Sequence, residues 1–208
     1  TQNMFDTYSD STLRPPGNRQ NAPLYGAMTE DLDRGLGLIL DKIDSLGIGG
    51  TTYIIYMSDN GGPSSLTNNF PLKRSKIYLY EGGIRAAMTV RWPNHIQAGT
   101  ESDFIWDMRD FFPTACDIAD TKIPKGLSGQ SVLKTLQGKK QKERKFNYWE
   151  IHSPFQQAVR MGNWKAIRFG TKEPLELYNL STDPSEKQKE LGDIPSSQAV
   201  DEPHLEIE

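Results

Sequence analysis

The apolar positions change their period along the chain, and each change marks an element. From Leu24 onward Met28, Leu32, Leu36, Ile39, Ile43 and Leu46 recur at steps of three and four, the spacing of one face of an α-helix, and Gly47 follows as its C-cap. Gly35 and Gly37 inside this pattern each cost about 1 kcal/mol against alanine, which predicts close packing against another backbone. After the GIGG linker, Thr51 to Met57 is β-branched and aromatic without polar alternation, as in a strand covered on both faces of a mostly parallel sheet. Met88 to Trp92 predicts a second short strand closed by Pro93. A helix is predicted from Asp110 as N-cap, with Pro113 in its first turn and Ala115, Ile118 and Ala119 facing inward.

Beyond Gly126 the pattern shortens. A helical turn around Val132 to Leu136 leads into the charged run GKKQKERK. NYWEI, QAVRMGNWKAIRF and LELYNL then predict strands of a small antiparallel sheet. The expected architecture is α/β, with residues 1–126 forming part of a larger α/β domain and 127–208 a smaller subdomain with an antiparallel sheet and a polar tail. The tail from Asp183, rich in Glu, Lys, Ser and Pro, is expected to be a short helix or loop and a disordered end. The opening TQNMFDTYSDSTLRPPGNRQNAP is polar, carries prolines and has no periodicity, and the first residue is not Met. The expectation is a chain cut from something longer.

Composition narrows the partners. The 208 residues carry a net charge of −3 with lysines spread along the chain, which argues against a nucleic-acid footprint or a basic membrane-binding helix. Cys116 has no second cysteine to pair with and lies in an apolar helical pattern, where a thiol packs as a small hydrophobe. No apolar run approaches the roughly 20 residues that span a bilayer.

The chemistry gathers around SDNGG, Ser58 to Gly62. In α/β sheets ligands collect beyond the carboxyl ends of strands, and Asp59 and Asn60 fall at such an end. Their oxygens suit a hard cation such as Ca²⁺, which takes six to eight, so the pair supplies part of a shell; an Asx-type turn is the alternative. The glycines behind them would let the backbone turn away. Downstream, Lys73, Arg74 and Lys76 precede Gly82-Gly83, where a lysine can reach an anion held at the cation. For Lys73 and Arg74 the reading is a solvated basic loop, and for Glu81 and Arg85 a structural ion pair bracketing the glycine turn. His95 and His204 sit in polar surroundings, Trp149 and Trp164 read as core aromatics, and Asn179-Leu180-Ser181 satisfies the glycosylation sequon.

MSDNGG, PLKRSKIYLYEGGIR with its closing WP, DMRDFFPTACDIAD, AVRMGNWKAIRF and LELYNLSTDPSE, in this order, resemble successive blocks of the type I sulfatases. These are the formylglycine-dependent branch of the alkaline-phosphatase-like superfamily. The resemblance runs from about Tyr25 to about Glu186 and implies the C-terminal part of a mixed sheet flanked by helices. It implies that Asp59 and Asn60 complete a Ca²⁺ site begun by earlier acidic residues, and that Lys76 contacts the sulfate. Glu81, Gly82, Gly83 and Arg85 match a scaffolding block, and Ala86-Ala87 stands where the family often has Val-Pro. The smaller sheet helps wall the pocket in this family, which makes His152 a candidate contact to the sugar or aryl part of a substrate.

The family's nucleophile lies in a Cys/Ser-x-Pro-x-Arg block, oxidised to formylglycine, and this sequence holds no such block; Cys116 is followed by Asp-Ile-Ala. The resemblance therefore implies the C-terminal portion of a sulfatase acting on a sulfated small molecule or carbohydrate, periplasmic or secreted, with these 208 residues inert alone. The alternatives are a phosphodiesterase or phosphonate hydrolase of the same superfamily, and a non-catalytic half-site that only binds.

Overall fold

The computed structural model describes residues 23–190. Helix α1 spans Pro23–Ser45 and ends, as the pattern predicts, at a left-handed Gly47, φ +68°. Strand β1, Ile54–Met57, pairs with β2, Met88–Arg91. Short helix α2 is Glu81–Ile84, α3 is Phe111–Ile118 and α4 is Leu133–Leu136. The four-stranded antiparallel sheet runs in simple order through β3 (Asn147–His152), β4 (Phe155–Met161), β5 (Trp164–Phe169) and β6 (Glu176–Asn179). This is the α/β fold class expected, with its small antiparallel sheet. No helix among the described residues is long and apolar enough to cross a membrane.

The chain gathers into two compact units, each discontinuous in sequence. Among the described residues, one combines 23–32, Met57–Ala87 and 145–190. Its core is Leu79, Tyr80, Ala158, Ile167, Tyr178 and Leu180, with Trp149, Ile151 and Phe169 packed against it. Strand β4 alternates inward Gln156 and Ala158 with half-buried neighbours, so one face of the sheet builds that core. Trp149 is the core aromatic expected, whereas Trp164 is 46% exposed.

The other unit combines Asp33–Tyr56 and Met88–Arg144. Its buried polar hub is Asp110, which takes the N-cap position of α3 but does not cap it. The carboxylate instead accepts the backbone N–H groups of Asp107 (3.1 Å) and Gln130 (2.8 Å) and pairs with Arg144. Asp107 makes the capping box, one turn earlier than the sequence predicts. Cys116 is buried in α3 as expected.

Two expectations fail in an informative way. Leu24, Met28, Leu32, Leu38, Ile39 and Leu46 of the α1 region are each more than half exposed, and a Cβ on Gly35 or Gly37 would meet nothing within 4 Å. Strand β1 is half-buried, with Tyr56 41% exposed. The apolar patterns of both elements are written for covers that the described residues do not supply.

Candidate functional site

The site is assembled from three backbone segments of one unit. Asp59 and Asn60 follow β1, in a loop closed by the Ser58 hydroxyl, which donates to the Asn60 carbonyl at 2.8 Å. Gly61 N–H donates to the Gly83 carbonyl (2.9 Å), Gly82 N–H to the Lys73 carbonyl (2.9 Å) and Lys76 N–H to the Gly62 carbonyl (3.3 Å). SDNGG, the lysine loop and the EGG helix α2 are thus knitted main chain to main chain.

That knitting explains the glycines, and differently from the sequence reading. None of Gly61, Gly62, Gly82 and Gly83 lies at positive φ, so none serves a turn that glycine alone allows. They permit close approach. A Cβ on Gly61 would stand 1.9 Å from the Gly82 carbonyl oxygen, one on Gly82 2.4 Å from the Lys73 and Arg74 oxygens, and one on Gly83 1.9 Å from the Tyr78 oxygen.

Two side-chain amides lock the same segments. Asn69 accepts the Gly62 N–H through Oδ1 (3.0 Å) and donates through Nδ2 to the Gly62 (2.8 Å) and Arg74 (3.3 Å) carbonyls. Gln156, fully buried on β4, accepts the Leu79 N–H (3.1 Å) and donates to the Ile77 carbonyl (2.9 Å). Neither residue belongs to a motif read from the sequence. The available signal for Gln156 is a polar residue at an inward register position, two before Ala158, on a strand that also carries Gln157 and Arg160.

The charges around the EGG helix also differ from expectation. Glu81 does not pair with Arg85. Its Oε1 accepts from the fully buried Lys165 Nζ at 2.8 Å, and its Oε2 lies 3.6 Å from Arg160 Nη1. Glu186, buried and at φ +52°, lies 3.0 Å from Lys165 and accepts the Glu81 N–H at 2.7 Å. Burial raises its pKa above the ordinary 4.5 even though Lys165 pulls the other way. The Asp183–Lys189 stretch is therefore a strap pinned by the buried Glu186; residues 191–208, with His204, lie outside the described residues.

Lys73 is no solvated loop lysine either. Its ammonium donates to Tyr178 Oη (2.9 Å) and the Glu186 carbonyl (3.1 Å) and lies 4.1 Å from the Tyr80 ring centroid. Partial burial lowers its pKa, against the opposing pull of Glu176 and Glu186. A β-hairpin core and two aromatic rings are what the sequence could not show for it, because Tyr178 is 105 residues away.

The proposed contact residues are presented to solvent. Lys76 and Asp59 are exposed and Asn60 is half-buried. The His152 side chain is 89% exposed, with Nδ1 3.7 Å from Glu150 Oε1, and no described contact brings it to Asp59, Asn60 or Lys76. Asp59 and Asn60 are both hard oxygen donors, and no cation pairs with Asp59 among the described residues. No group of three or more His, Cys, Asp or Glu able to hold a metal occurs among the described residues. The pair therefore fits a hard cation as part of a shell and not as a whole one.

With this geometry in place, comparison with known proteins is direct. The family model described as Sulfatase matches residues 2–121, and that described as N-sulphoglucosamine sulphohydrolase, C-terminal, matches residues 73–207. The chain belongs to the sulfatase family. A sulfatase of Formosa agariphila is 30% identical over 207 residues, covering 85% of this chain and 37% of its own. N-acetylgalactosamine-6-sulfatase of Mus musculus is 29% identical, covering 76% of this chain and 32% of its own. The solved structure of Ps i-CgsB in complex with k-i-k-neocarrahexaose superposes with a TM-score of 0.77 at 27% identity, covering 91% of this chain and 42% of that one. A structure in complex with its substrate, D-glucosamine-2-N,6-O-disulfate, gives 0.69 at 25% identity, over 79% of this chain and 35% of that one. The chain thus spans about a third to two fifths of the proteins it matches.

Proposed function

We propose that this chain is the C-terminal part of an enzyme that hydrolyses sulfate esters of carbohydrates. Asp59 and Asn60 complete a Ca²⁺ site, and Lys76 holds the sulfate. The nucleophile, a formylglycine, and the remaining cation ligands come from sequence upstream, so the 208 residues alone are inert. A bound divalent cation supplies positive charge against the sulfate oxygens and the leaving oxygen. Asp59 contributes the anionic ligand, Asn60 a neutral one, and the Lys76 ammonium a second positive charge that needs no ordered partner on the protein.

The observation that supports this reading is the main-chain knitting of SDNGG to the EGG helix, Gly61 N–H to Gly83, and to the lysine loop, Lys76 N–H to Gly62, which ties the loop that carries Asp59 and Asn60 to the backbone of Lys76. The sugar class is supported by one relative named N-acetylgalactosamine-6-sulfatase and one solved in complex with D-glucosamine-2-N,6-O-disulfate, while others of similar identity are named steryl-sulfatase. His152, exposed at the β3–β4 hairpin, is the proposed contact to the sugar. A periplasmic or secreted location is proposed with it, on the family resemblance alone.

The test is Asp59→Ala in the intact enzyme. Expected outcomes are a loss of Ca²⁺ affinity by isothermal titration and a fall in turnover of a sulfated sugar. Unchanged affinity and turnover would remove Asp59 from the cation site. Turnover of a phosphonate or phosphodiester analogue in preference to the sulfate ester would overturn the reaction class.

A further inference from the structure

The geometry points to Gln156 as the positioning residue for Lys76, an inference that rests on the role proposed for that lysine. Lys76 occupies the second position of a tight turn closed by the Tyr78 N–H on the Ser75 carbonyl at 3.1 Å. The third position, Ile77, has φ +82°. That is the value a type II turn demands there, where glycine is usual and a β-branched side chain is a true outlier. Three residues before Ile77, Arg74 is also left-handed, at φ +65°. A turn with these φ values persists only where its surroundings over-determine it.

Gln156 is the restraint. Its amide holds the two peptides that follow the strained residue, donating to the Ile77 carbonyl at 2.9 Å and accepting from the Leu79 N–H at 3.1 Å. It is 0% exposed and fixed by the β4 register between Ile151 and Phe169. Both hydrogen bonds reach across 77 to 79 residues of sequence to the outgoing limb of the lysine turn, while Lys76 N–H on Gly62 secures the incoming one. The peptides on either side of the Lys76–Ile77 link are thereby held, Ser75–Lys76 by Gly62 and Ile77–Tyr78 by Gln156, and with them the direction in which the exposed Lys76 side chain leaves the backbone. Gln156 thus acts on the sulfate through the backbone of the lysine turn, without itself touching the substrate.

The test is a kinetic set in the intact enzyme: K76A, Q156M, Q156E and I77G, with K76A and I77G each also combined with Q156M and with Q156E, a sulfate ester as substrate and inorganic sulfate as inhibitor, each checked for folding by circular dichroism. Methionine keeps the length of Gln156 and removes both hydrogen bonds; glutamate keeps the acceptor for Leu79 and loses the donor to Ile77. Q156M is expected to lower kcat/KM by about 10- to 100-fold, the cost of misplacing a catalytic group by about an ångström, with kcat falling more than KM rises and sulfate inhibiting less well. Adding I77G is expected to restore most of the loss, because glycine takes φ +82° without being held. A residue that merely fills the core would show no such rescue. K76A is expected to cost far less in the Q156M background than in the wild type.

K76A impaired beside Q156M at wild-type kcat/KM, or a Q156M defect that I77G leaves unchanged, would overturn the positioning role while sparing that of Lys76. K76A at wild-type kcat/KM would overturn both. If Q156M does not fold, the same comparisons with Q156E decide.

Discussion

Lys165 Nζ donates to Glu81 Oε1 across 2.8 Å, and neither side chain reaches solvent. Glu186 closes the other side of the same ammonium at 3.0 Å. One cation thus sits between two carboxylates, and it ties the strand β5, the EGG helix and the Asp183–Lys189 strap to one point. Such an arrangement is strongly asymmetric: removing one member leaves buried charge without a counterion.

Lys165→Met is therefore expected to destabilise the fold by about 3–5 kcal/mol, since Glu81 and Glu186 would share a site with Arg160, 3.6 Å from Glu81, and the partly exposed Lys73 beside Glu186 to offset them. The measurement is denaturant unfolding near neutral pH. A loss of less than about 1 kcal/mol would mean that the two carboxylates are neutral or hydrated in the folded state.

How much of this was legible in the sequence depends on the reach of each interaction. The extent of α1, the Gly47 cap and the β4–β5 hairpin follow from patterns a few residues long, and they appear where the pattern puts them. SDNGG was recognisable as a strand end carrying oxygen donors. The reason for its glycines was not, because the atom that excludes a Cβ from Gly61 is the Gly82 oxygen, 21 positions on, and nothing local announces it. Glu81 and Arg85 have the spacing of a helical ion pair, yet helix α2 stops at Ile84 and the true partner of Glu81 is 84 residues away. Lys73 misled for the same reason: its neighbours in sequence are basic and polar, whereas its neighbours in space are Tyr80 and Tyr178.

The glycines separate two kinds of constraint that a substitution can measure. Gly61→Ala must push a methyl to within 1.9 Å of a backbone oxygen, so the cost is expected to be at least about 1–3 kcal/mol, with Lys76 displaced as its loop yields. Gly35→Ala in α1 meets nothing within 4 Å and is expected to stabilise the 208-residue chain by about 0.5–1 kcal/mol through helix propensity. Thermal unfolding of both variants checks the contrast. If Gly35→Ala instead destabilises the intact enzyme, the exposed apolar face of α1 is covered there by a close-packed backbone.

Glu176 provides the pH signature of the small sheet. Burial alone would raise its pKa, but the hydroxyls of Tyr178 (2.5 Å) and Tyr80 (2.6 Å) donate to it and Lys189 lies 2.9 Å away, and together they hold it below the ordinary 4.5. A carboxylate whose folded pKa is depressed adds stability above its unfolded pKa and loses it as the pH falls through the folded value. The same hydrogen bonds, with burial the larger cause, push both tyrosine hydroxyls well above 10, so they remain donors throughout. Glu186 works in the opposite sense: its raised pKa makes the folded form the better proton binder, so its own contribution declines as the pH rises above 4.5. Glu176→Gln is thus expected to be less stable than the wild type at pH 7, with the gap narrowing below about pH 4.5 as the wild-type carboxylate takes up its proton. Unfolding midpoints of both proteins between pH 3 and 7 test this, and a gap that stays constant across the range would show that the tyrosines hold Glu176 no better charged than neutral.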